Sequence, residues 1–158
     1  MKIIYTASAH RNPFEVFDIV RKLSEKQMDI IITGAGWAAA LPGLVDAILR
    51  ALGNDKTLVV GVAFEDELNP EHTLAAQLSI KHVPGTQVFR LANYAGAYGF
   101  LSACEYASAT LTELPKIELK SGKPVVERNL IKTLEEAEKK IKEIKEQLWK
   151  KLKEKEVK

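Results

Sequence analysis

The chain has 158 residues, of which 46% are hydrophobic and 28% are charged, and its formal net charge at pH 7 is +2. This composition is typical of a folded globular protein and excludes fibrous and disordered classes. Because 23 Lys and Arg residues are nearly balanced by 21 Asp and Glu residues, the charge gives no support for nucleic-acid binding. Many Lys and Glu residues with few Cys and Met residues favour a thermophilic source.

Targeting and redox features predict a cytoplasmic protein. No apolar run reaches the length of a membrane span, and the chain starts with a strand-like segment rather than a signal peptide. Cys104 is the single cysteine, which excludes an intrachain disulfide and fits a reducing compartment. We expect it to be a buried packing thiol, because small apolar residues surround it in the sequence. We expect no metal site, because His72 and His82 lack partners at ligand spacing.

Apolar runs and amphipathic stretches alternate along the first 110 residues. Four runs have the character of buried strands: residues 2–6, 29–33, 57–63 and 86–91. Helices are predicted at four further stretches: residues 13–26, 38–52, 71–80 and 93–110. Asn12 is a suitable N-cap for the first helix, and Gly53-Asn54 ends the second. The alternation predicts an α/β fold in which a parallel sheet carries helices on both faces.

The last third of the chain differs in character. Residues 117–126 contain Ser121-Gly122 between two short β-like pieces, which predicts a hairpin. Asn129 then caps a long Lys- and Glu-rich helix that runs to near Lys158. The apolar residues of this helix form a narrow seam with alternating spacings of four and three: Leu130, Leu134, Ala137, Ile141, Ile144 and Leu148. Such a seam packs on its own domain or on another subunit. We therefore divide the chain into a domain at residues 1–112 and a C-terminal segment at residues 113–158.

Two polar loops follow the first two predicted strands. The Ser8 loop reads Ser8-Ala9-His10-Arg11-Asn12-Pro13, and the glycine loop reads Gly34-Ala35-Gly36-Trp37-Ala38-Ala39-Ala40-Leu41-Pro42-Gly43. Open α/β sheets bind small ligands at the carboxyl ends of neighbouring strands. In the Ser8 loop, the helix N-terminus favours an anion, Arg11 can hold phosphate oxygens and His10 can exchange a proton. The alternative is that His10 and Arg11 only cap neighbouring elements.

The two loops together resemble the PurE family. The resemblance is carried by Ser8-Ala9-His10-Arg11-x-Pro13 and by Gly34-Ala35-Gly36-x-Ala38-Ala39-x-Leu41-Pro42-Gly43. This family comprises the catalytic subunits of phosphoribosylaminoimidazole carboxylase, also called N5-carboxyaminoimidazole ribonucleotide mutase. The likeness continues more loosely through residues 59–62, 78–84 and 93–107, and it covers roughly residues 2–110. It implies a three-layer flavodoxin-like sheet, a homo-oligomer that is typically an octamer, and neither a metal nor an organic cofactor.

The resemblance also implies a reaction in purine biosynthesis. A carboxylate moves from an exocyclic nitrogen of an aminoimidazole ribonucleotide to a ring carbon, or CO₂ is added to that carbon. By their positions in the motif, Ser8 and Arg11 would hold the phosphate region, with Ala9 beside them, and His10 would handle the proton. The pocket for the base and the carboxylate would be lined by members of the glycine loop: Gly34, Ala35, Gly36, Trp37 and Leu41.

Several departures from the family pattern leave three hypotheses open. The family has a strand and a Gly-Ser-x-Ser-Asp phosphate loop ahead of its Ser-Ala-His-Arg motif, whereas seven residues precede Ser8 here. Trp37 and Ala40 stand where the family has Gly and His, and residues 64–71 are acidic where an anionic substrate enters. The chain is a trimmed PurE-type enzyme, a divergent protein that binds another ligand with Trp37 as a stacking surface, or a non-catalytic oligomeric subunit.

Overall fold

The computed structural model describes residues 3–82, 87–90, 100–101, 104–105, 116–117, 125–127 and 129–156. The elements within these residues are α1 (Pro13–Glu25), β1 (Ile30–Ala35), α2 (Ala40–Ala51), β2 (Leu58–Ala63), α3 (Pro70–Lys81), β3 (Phe89–Arg90) and α4 (Leu130–Glu156). Residues 100–101 and 104–105 are also helical. The chain divides into two compact units, Met1–Lys120 and Ser121–Lys158.

The three described strands form a parallel sheet in the order β1-β2-β3. Ile30 lies opposite Leu58, Ala35 lies opposite Ala63, and Val60 lies opposite Phe89. Every residue of β2 is buried, as expected for a central parallel strand that is covered on both faces. The α/β class and three of the four predicted strands are therefore confirmed, although residues 86 and 91 lie outside the described part.

Helices cover both faces of this sheet. On one face, α1 and α2 pack on the strands through a cluster of buried aliphatic residues: Val16, Val20, Val45, Ile48, Leu49 and Val59. On the same face, α3 contributes Ala76 and Ile80, which pack with Ala63 of β2. On the other face, Phe100 and Ile117 pack against the buried side chains of β2. This arrangement confirms the layered architecture predicted from the alternation of elements.

The segment ahead of α1 is not a strand. Residues 3–8 have an irregular backbone, and Ile4 is 77% exposed, so the prediction of a strand at residues 2–6 is wrong for the part described. In the flavodoxin-like strand order 2-1-3-4-5, the second strand of the chain lies at the edge of the sheet. It pairs with the first strand of the chain and does not touch the third. The described residues provide no such first strand. An apolar run without a neighbour leaves its backbone donors and acceptors unpaired, and the strand does not form.

The predicted helix boundaries agree with the structure to within two residues. Gly53, with a φ of 74°, follows the end of α2, where an L residue would be strained. The side chain of Asn129 accepts a hydrogen bond from the backbone N–H of Lys132 at 3.2 Å, which confirms the predicted cap of α4. Asn12 occupies the N-cap position of α1, but its side chain makes no cap hydrogen bond. Most of the predicted 93–110 helix and most of the 117–126 hairpin lie outside the described residues.

A buried polar network joins the end of α2 to the start of β2. Asp46 is 1% exposed, and its carboxylate accepts hydrogen bonds from Arg50 Nε at 3.1 Å and from the backbone N–H of Gln87 at 2.9 Å. Arg50 also donates to the carbonyl oxygens of Asn54 and Thr57. The guanidinium thus donates hydrogen bonds to one buried carboxylate and to two carbonyl groups that lie outside α2 and β2.

The second unit contains α4, a helix of 27 residues. Its large apolar side chains are all more than half exposed: Leu130, Ile131, Leu134, Ile141, Ile144, Leu148, Trp149 and Leu152. Lys and Glu residues occupy most of the positions between these side chains, so charged residues flank the apolar seam. In the described part of the chain, α4 and the other helices all fall short of the length and apolarity needed to cross a membrane.

Candidate functional site

The Ser8 loop and the glycine loop meet the core at a common cluster. Ala7, which immediately precedes the Ser8 loop, and Leu41, within the glycine loop, both pack against the buried cluster of α1 and α2. The glycine loop follows the carboxyl end of β1. Because α1 returns the chain to the start of β1, its N-terminus lies toward the same edge of the sheet. The fold therefore places both loops where open α/β sheets bind ligands.

Ser8 shapes the entrance to α1 with both of its oxygen atoms. Its Oγ accepts a hydrogen bond from the backbone N–H of Arg11 at 3.3 Å, and its carbonyl oxygen accepts one from Asn12 at 2.9 Å. The side chains of His10 and Arg11 are exposed, and no described hydrogen bond joins either of them to a neighbouring element. The loop therefore presents an imidazole and a guanidinium that a ligand can reach.

The N-termini of α1 and α2 lack side-chain caps. The N-cap of α2 is Ala39, and no acidic residue lies in the first turn of this helix. The backbone N–H of Ala40 donates to the carbonyl of Ala38 at 2.7 Å, which forms a tight turn before the helix. Asn12, at the N-cap of α1, also makes no cap hydrogen bond. The positive end of the helix dipole favours an anion at both termini, and the acidic Glu15 in the first turn of α1 offsets part of this effect there.

The two glycines of the glycine loop have different surroundings. A Cβ at Gly34 would lie 2.4 Å from ring atoms of Phe64 and 2.9 Å from Phe100, so aromatic rings fill the space that a side chain would need. These two rings make an edge-to-face contact with their centroids 6.1 Å apart. A Cβ at Gly36 would meet only Phe64 Cβ, at an ordinary 3.5 Å. A ligand can therefore approach the backbone at Gly36, whereas the rings of Phe64 and Phe100 fill the space beside Gly34.

Trp37 connects the glycine loop to the first turn of α3. Its backbone has a φ of 55°, an unusual conformation for a bulky residue. Its indole stacks on the imidazole of His72, with ring centroids 4.3 Å apart and planes inclined by 24°. Trp37 is nevertheless 65% exposed, so much of the indole remains open to solvent.

His72 is held in place by Asp66. The distance between His72 Nδ1 and Asp66 Oδ2 is 2.7 Å, and His72 Nε2 lies 3.3 Å from the amide nitrogen of Asn69. The hydrogen bond from His72, together with backbone N–H donors at Leu68 and Asn69, lowers the pKa of Asp66 against the opposing effect of burial. Asp66 is therefore a carboxylate at neutral pH, and its Oδ2 accepts a hydrogen bond from the Nδ1–H group of the imidazole.

Sequence reasoning did not include His72 in the site. The glycine-loop motif and the acidic stretch at residues 64–71 were both visible, but no sequence spacing pairs position 37 with position 72. Only the parallel pairing of β1 and β2 brings the two loops side by side, with the backbone N–H of Phe64 donating to the carbonyl of Ala35 at 2.9 Å. Cys104 is half-buried rather than buried as expected. Within the described residues, no three His, Cys, Asp or Glu side chains converge as metal ligands.

Comparison with known proteins supports the resemblance deduced from the two loops. A model of the AIR carboxylase family matches residues 2–114. The N5-carboxyaminoimidazole ribonucleotide mutase of Mycobacterium leprae is 48% identical over 42 residues, which are 27% of this chain and 25% of that protein. The mutase of Thermotoga maritima is 44% identical over 45 residues, covering 28% of this chain and 26% of that protein. The mutase of Pyrococcus horikoshii is 42% identical over 41 residues, which are 26% of this chain and 23% of that protein.

The two kinds of comparison differ in extent. The match to each of these relatives spans 41–45 residues. The chain therefore covers only about a quarter of the length of each relative. The family model, in contrast, extends over more than half of the chain and includes both the Ser8 loop and the glycine loop. On this ground the chain belongs to the AIR carboxylase family.

Proposed function

We propose that the chain is a PurE-type carboxylase or mutase that acts on an aminoimidazole ribonucleotide in purine biosynthesis. The observation that carries this proposal is the Ser8 loop, which presents the exposed side chains of His10 and Arg11 at an uncapped helix N-terminus. Family membership and the names of the matched mutases support the same reaction class. A cytoplasmic location would follow from this role.

The phosphate of the ribonucleotide would bind between Arg11 and the N-terminus of α1. Arg11 can donate two parallel hydrogen bonds to phosphate oxygens, and its side chain has no described competitor. Ser8 already orients the backbone of Arg11 through its Oγ. The uncapped N-terminus of α2 adds a second favourable position for negative charge. Ser8 and Ala9 would line this part of the site.

His10 would be the acid/base residue of the reaction. When a carboxylate joins the ring carbon of the aminoimidazole, that carbon must lose a proton, and one positioned imidazole can accept it. His10 is exposed and supports no described contact, so its side chain is available for this role.

The base and the carboxylate would lie along the glycine loop. Gly36 leaves room for close approach, and Ala35 precedes it at the end of β1. The backbone of Gly34 can still face the ligand, although its side-chain position is filled by rings. Trp37 and Leu41 would complete the wall of the pocket.

Binding and turnover can be tested separately. Wild-type protein should bind aminoimidazole ribonucleotide in calorimetry, and it should either move a carboxylate between the exocyclic nitrogen and the ring carbon or exchange CO₂ at that carbon. His10→Asn should lower turnover by about 10²–10⁴-fold, the usual contribution of a positioned acid/base group, with an unchanged melting temperature. His82→Asn is the matched control, because His82 is an exposed histidine at the C-cap of α3. Absence of nucleotide binding by the wild type would refute the proposal, and full activity of His10→Asn would remove His10 from the mechanism.

A second candidate function is supported by Trp37. An indole that is 65% exposed, with one neighbour stacked on it, offers a surface for a planar ring other than aminoimidazole. In that case the chain would be a divergent binding protein rather than a carboxylase. Failure to turn over aminoimidazole ribonucleotide, together with quenching of Trp37 fluorescence by another heterocycle, would favour this function.

Self-association is the remaining part of the proposal. The apolar seam of α4 alternates spacings of four and three residues, the pattern of helices that pair with another helix. Its leucine and isoleucine side chains are more than half exposed in the single chain. We propose that a second copy of the chain covers the seam, as in the high-order assemblies implied by the resemblance. A non-catalytic subunit would retain this association and lack turnover.

A further inference from the structure

We propose that a second copy of the chain pairs with α4 in the antiparallel direction, in a register that brings Glu138 of one copy beside Lys145 of the other. This pairing rests on the self-association that is part of the proposed function. It adds the direction of the partner helix and the residues that select it. The observations that carry it are the charged and apolar side chains along one flank of the apolar seam.

A row of exposed side chains flanks the seam on one side. The row repeats every seven residues and consists of Ile131, Glu138, Lys145 and Leu152. Side chains at such positions lie beside the interface of two paired helices, where their charges set the partner and its orientation. The row is apolar at both ends and carries one negative and one positive charge between them. It is therefore complementary to its own reverse.

In an antiparallel pair, this row faces the same row of the second copy in reverse order. Glu138 then lies beside Lys145 of the second copy, and twofold symmetry repeats the contact with the roles exchanged. In the same register, Ile131 lies beside Leu152 of the second copy. These two side chains are 67% and 57% exposed in the single chain and lie outside the seam. The pairing thus covers apolar surface that the seam alone does not account for.

The seam itself is complementary in this register. The opposed residues of the two copies are Ile141 with Ile144, Ala137 with Leu148, and Leu134 with Lys151. Large side chains meet at the centre, and a large one meets a small one on either side, as interdigitating helices require. The aliphatic stem of Lys151 can cover Leu134 while its ammonium group reaches water. The two helices also overlap over nearly the whole of Leu130–Glu156.

Other arrangements of the two helices bring like charges together. In a parallel pair, the row faces the opposite flank of the second helix, and Lys145 lies beside Lys140 of the second copy. An antiparallel pair shifted by seven residues places Glu138 beside its own counterpart, or Lys145 beside its own counterpart. Like charges at such positions oppose pairing and discriminate against the wrong partner arrangement. A single direction and register therefore suit both the charges and the apolar side chains.

Disulfide formation in the full-length chain reports the direction of the pair. Ala137→Cys and Leu148→Cys, each combined with Cys104→Ser, are mixed in equal amounts and equilibrated in a glutathione buffer. The antiparallel pair should give mainly the mixed disulfide, which mass spectrometry distinguishes from the two symmetrical ones. A parallel pair would give the symmetrical disulfides, because positions 137 and 148 are about 16 Å apart along a helix, too far for a bridge.

Charge reversal tests the contact between Glu138 and Lys145 by sedimentation. Glu138→Lys should weaken self-association by about three- to tenfold, because two attractive contacts become repulsive. Adding Lys145→Glu to this variant should restore association to within about twofold of the wild type. Glu143→Lys is the matched control, since it makes the same change of charge on an exposed part of α4 away from the seam and should alter association by less than about twofold.

The outcomes separate this pairing from the proposed reaction. Symmetrical disulfides alone, or no disulfide in an oligomeric protein, overturn the antiparallel pairing and leave the carboxylase or mutase reaction untouched. A monomeric wild type refutes self-association and the pairing together, whereas nucleotide turnover still decides the reaction. If Leu148→Cys itself prevents association, the charge reversal decides, and failure of Lys145→Glu to restore association refutes the pairing. A mixed disulfide without turnover supports the pairing and refutes the reaction.

Discussion

Removal of the Arg50 side chain should destabilise the fold far more than removal of an equivalent surface arginine. Arg50 is only 10% exposed at its side chain and lies beside Asp46, which is 1% exposed. It donates to Asp46 and to the carbonyl oxygens of Asn54 and Thr57. In Arg50→Met, the Asp46 carboxylate would keep the backbone N–H of Gln87 as its remaining described donor. A buried charge would then lack its counter-ion.

The expected loss can be estimated from these contacts. Breaking a buried ion pair by removing one partner costs about 3–5 kcal/mol. For a chain of this size, that loss lowers the melting temperature by roughly 6–20 °C. Urea unfolding followed by circular dichroism measures the free energy directly. Arg21→Met is the matched control, because Arg21 pairs with Asp18 and Glu25 on an exposed helix face and should lose less than about 1 kcal/mol.

A second variant tests whether the isolated charge causes the loss. In Arg50→Met combined with Asp46→Leu, neither charge is left buried without its partner, so part of the lost stability should return. The carbonyl of Thr57 remains without its donor, and recovery should therefore be incomplete. If Arg50→Met loses no more stability than Arg21→Met, the network does not hold the end of α2 to β2 and the reasoning is refuted.

Two further predictions concern the Asp66 pair and α4. Since the folded state lowers the pKa of Asp66, its carboxylate stabilises the fold above the ordinary Asp pKa of about 3.9, and this contribution is lost as the pH falls through the lower folded value. Acid unfolding of Asp66→Asn should therefore depend less steeply on pH in that range, and an unchanged profile would contradict the assignment. If α4 pairs with a second copy, Ile141→Lys should reduce the particle mass in light scattering whereas Lys142→Ala should not. A monomeric wild type at micromolar concentration would refute self-association.

The sequence predicted those helices and strands whose position follows from the residue pattern of one segment. The continuous apolar run at residues 57–63 became the fully buried β2, and Gly53 ended α2 as its position suggested. The same reasoning failed at residues 3–6, because an apolar run does not reveal whether a neighbouring strand exists to pair with it. Periodicity and capping are properties of a local segment, whereas strand pairing depends on the rest of the sheet.

The site was predictable in its loops but not in the contacts between them. The Ser8 loop and the glycine loop could be recognised from their residues, and the family match includes both. The stack of Trp37 on His72 could not be anticipated, because it depends on how the loops after β1 and β2 are oriented in space. Similarly, a glycine at position 34 suggested access for a ligand, but the ring of Phe64 occupies the space beside it.

The irregular backbone of residues 3–8 bears directly on how well the proposed chemistry is organised. A strand ladder would fix the Ser8 loop through a row of hydrogen bonds, whereas here Ala7 packs on the core and Ser8 bonds to Arg11 and Asn12. Catalytic efficiency depends steeply on position, and a displacement of about 1 Å can cost about a hundredfold in rate. The glycine loop is anchored more firmly, because it continues from β1 and is tied to α3 through Trp37. Binding along the glycine loop should therefore tolerate substitutions around residues 3–7 better than turnover by His10 does.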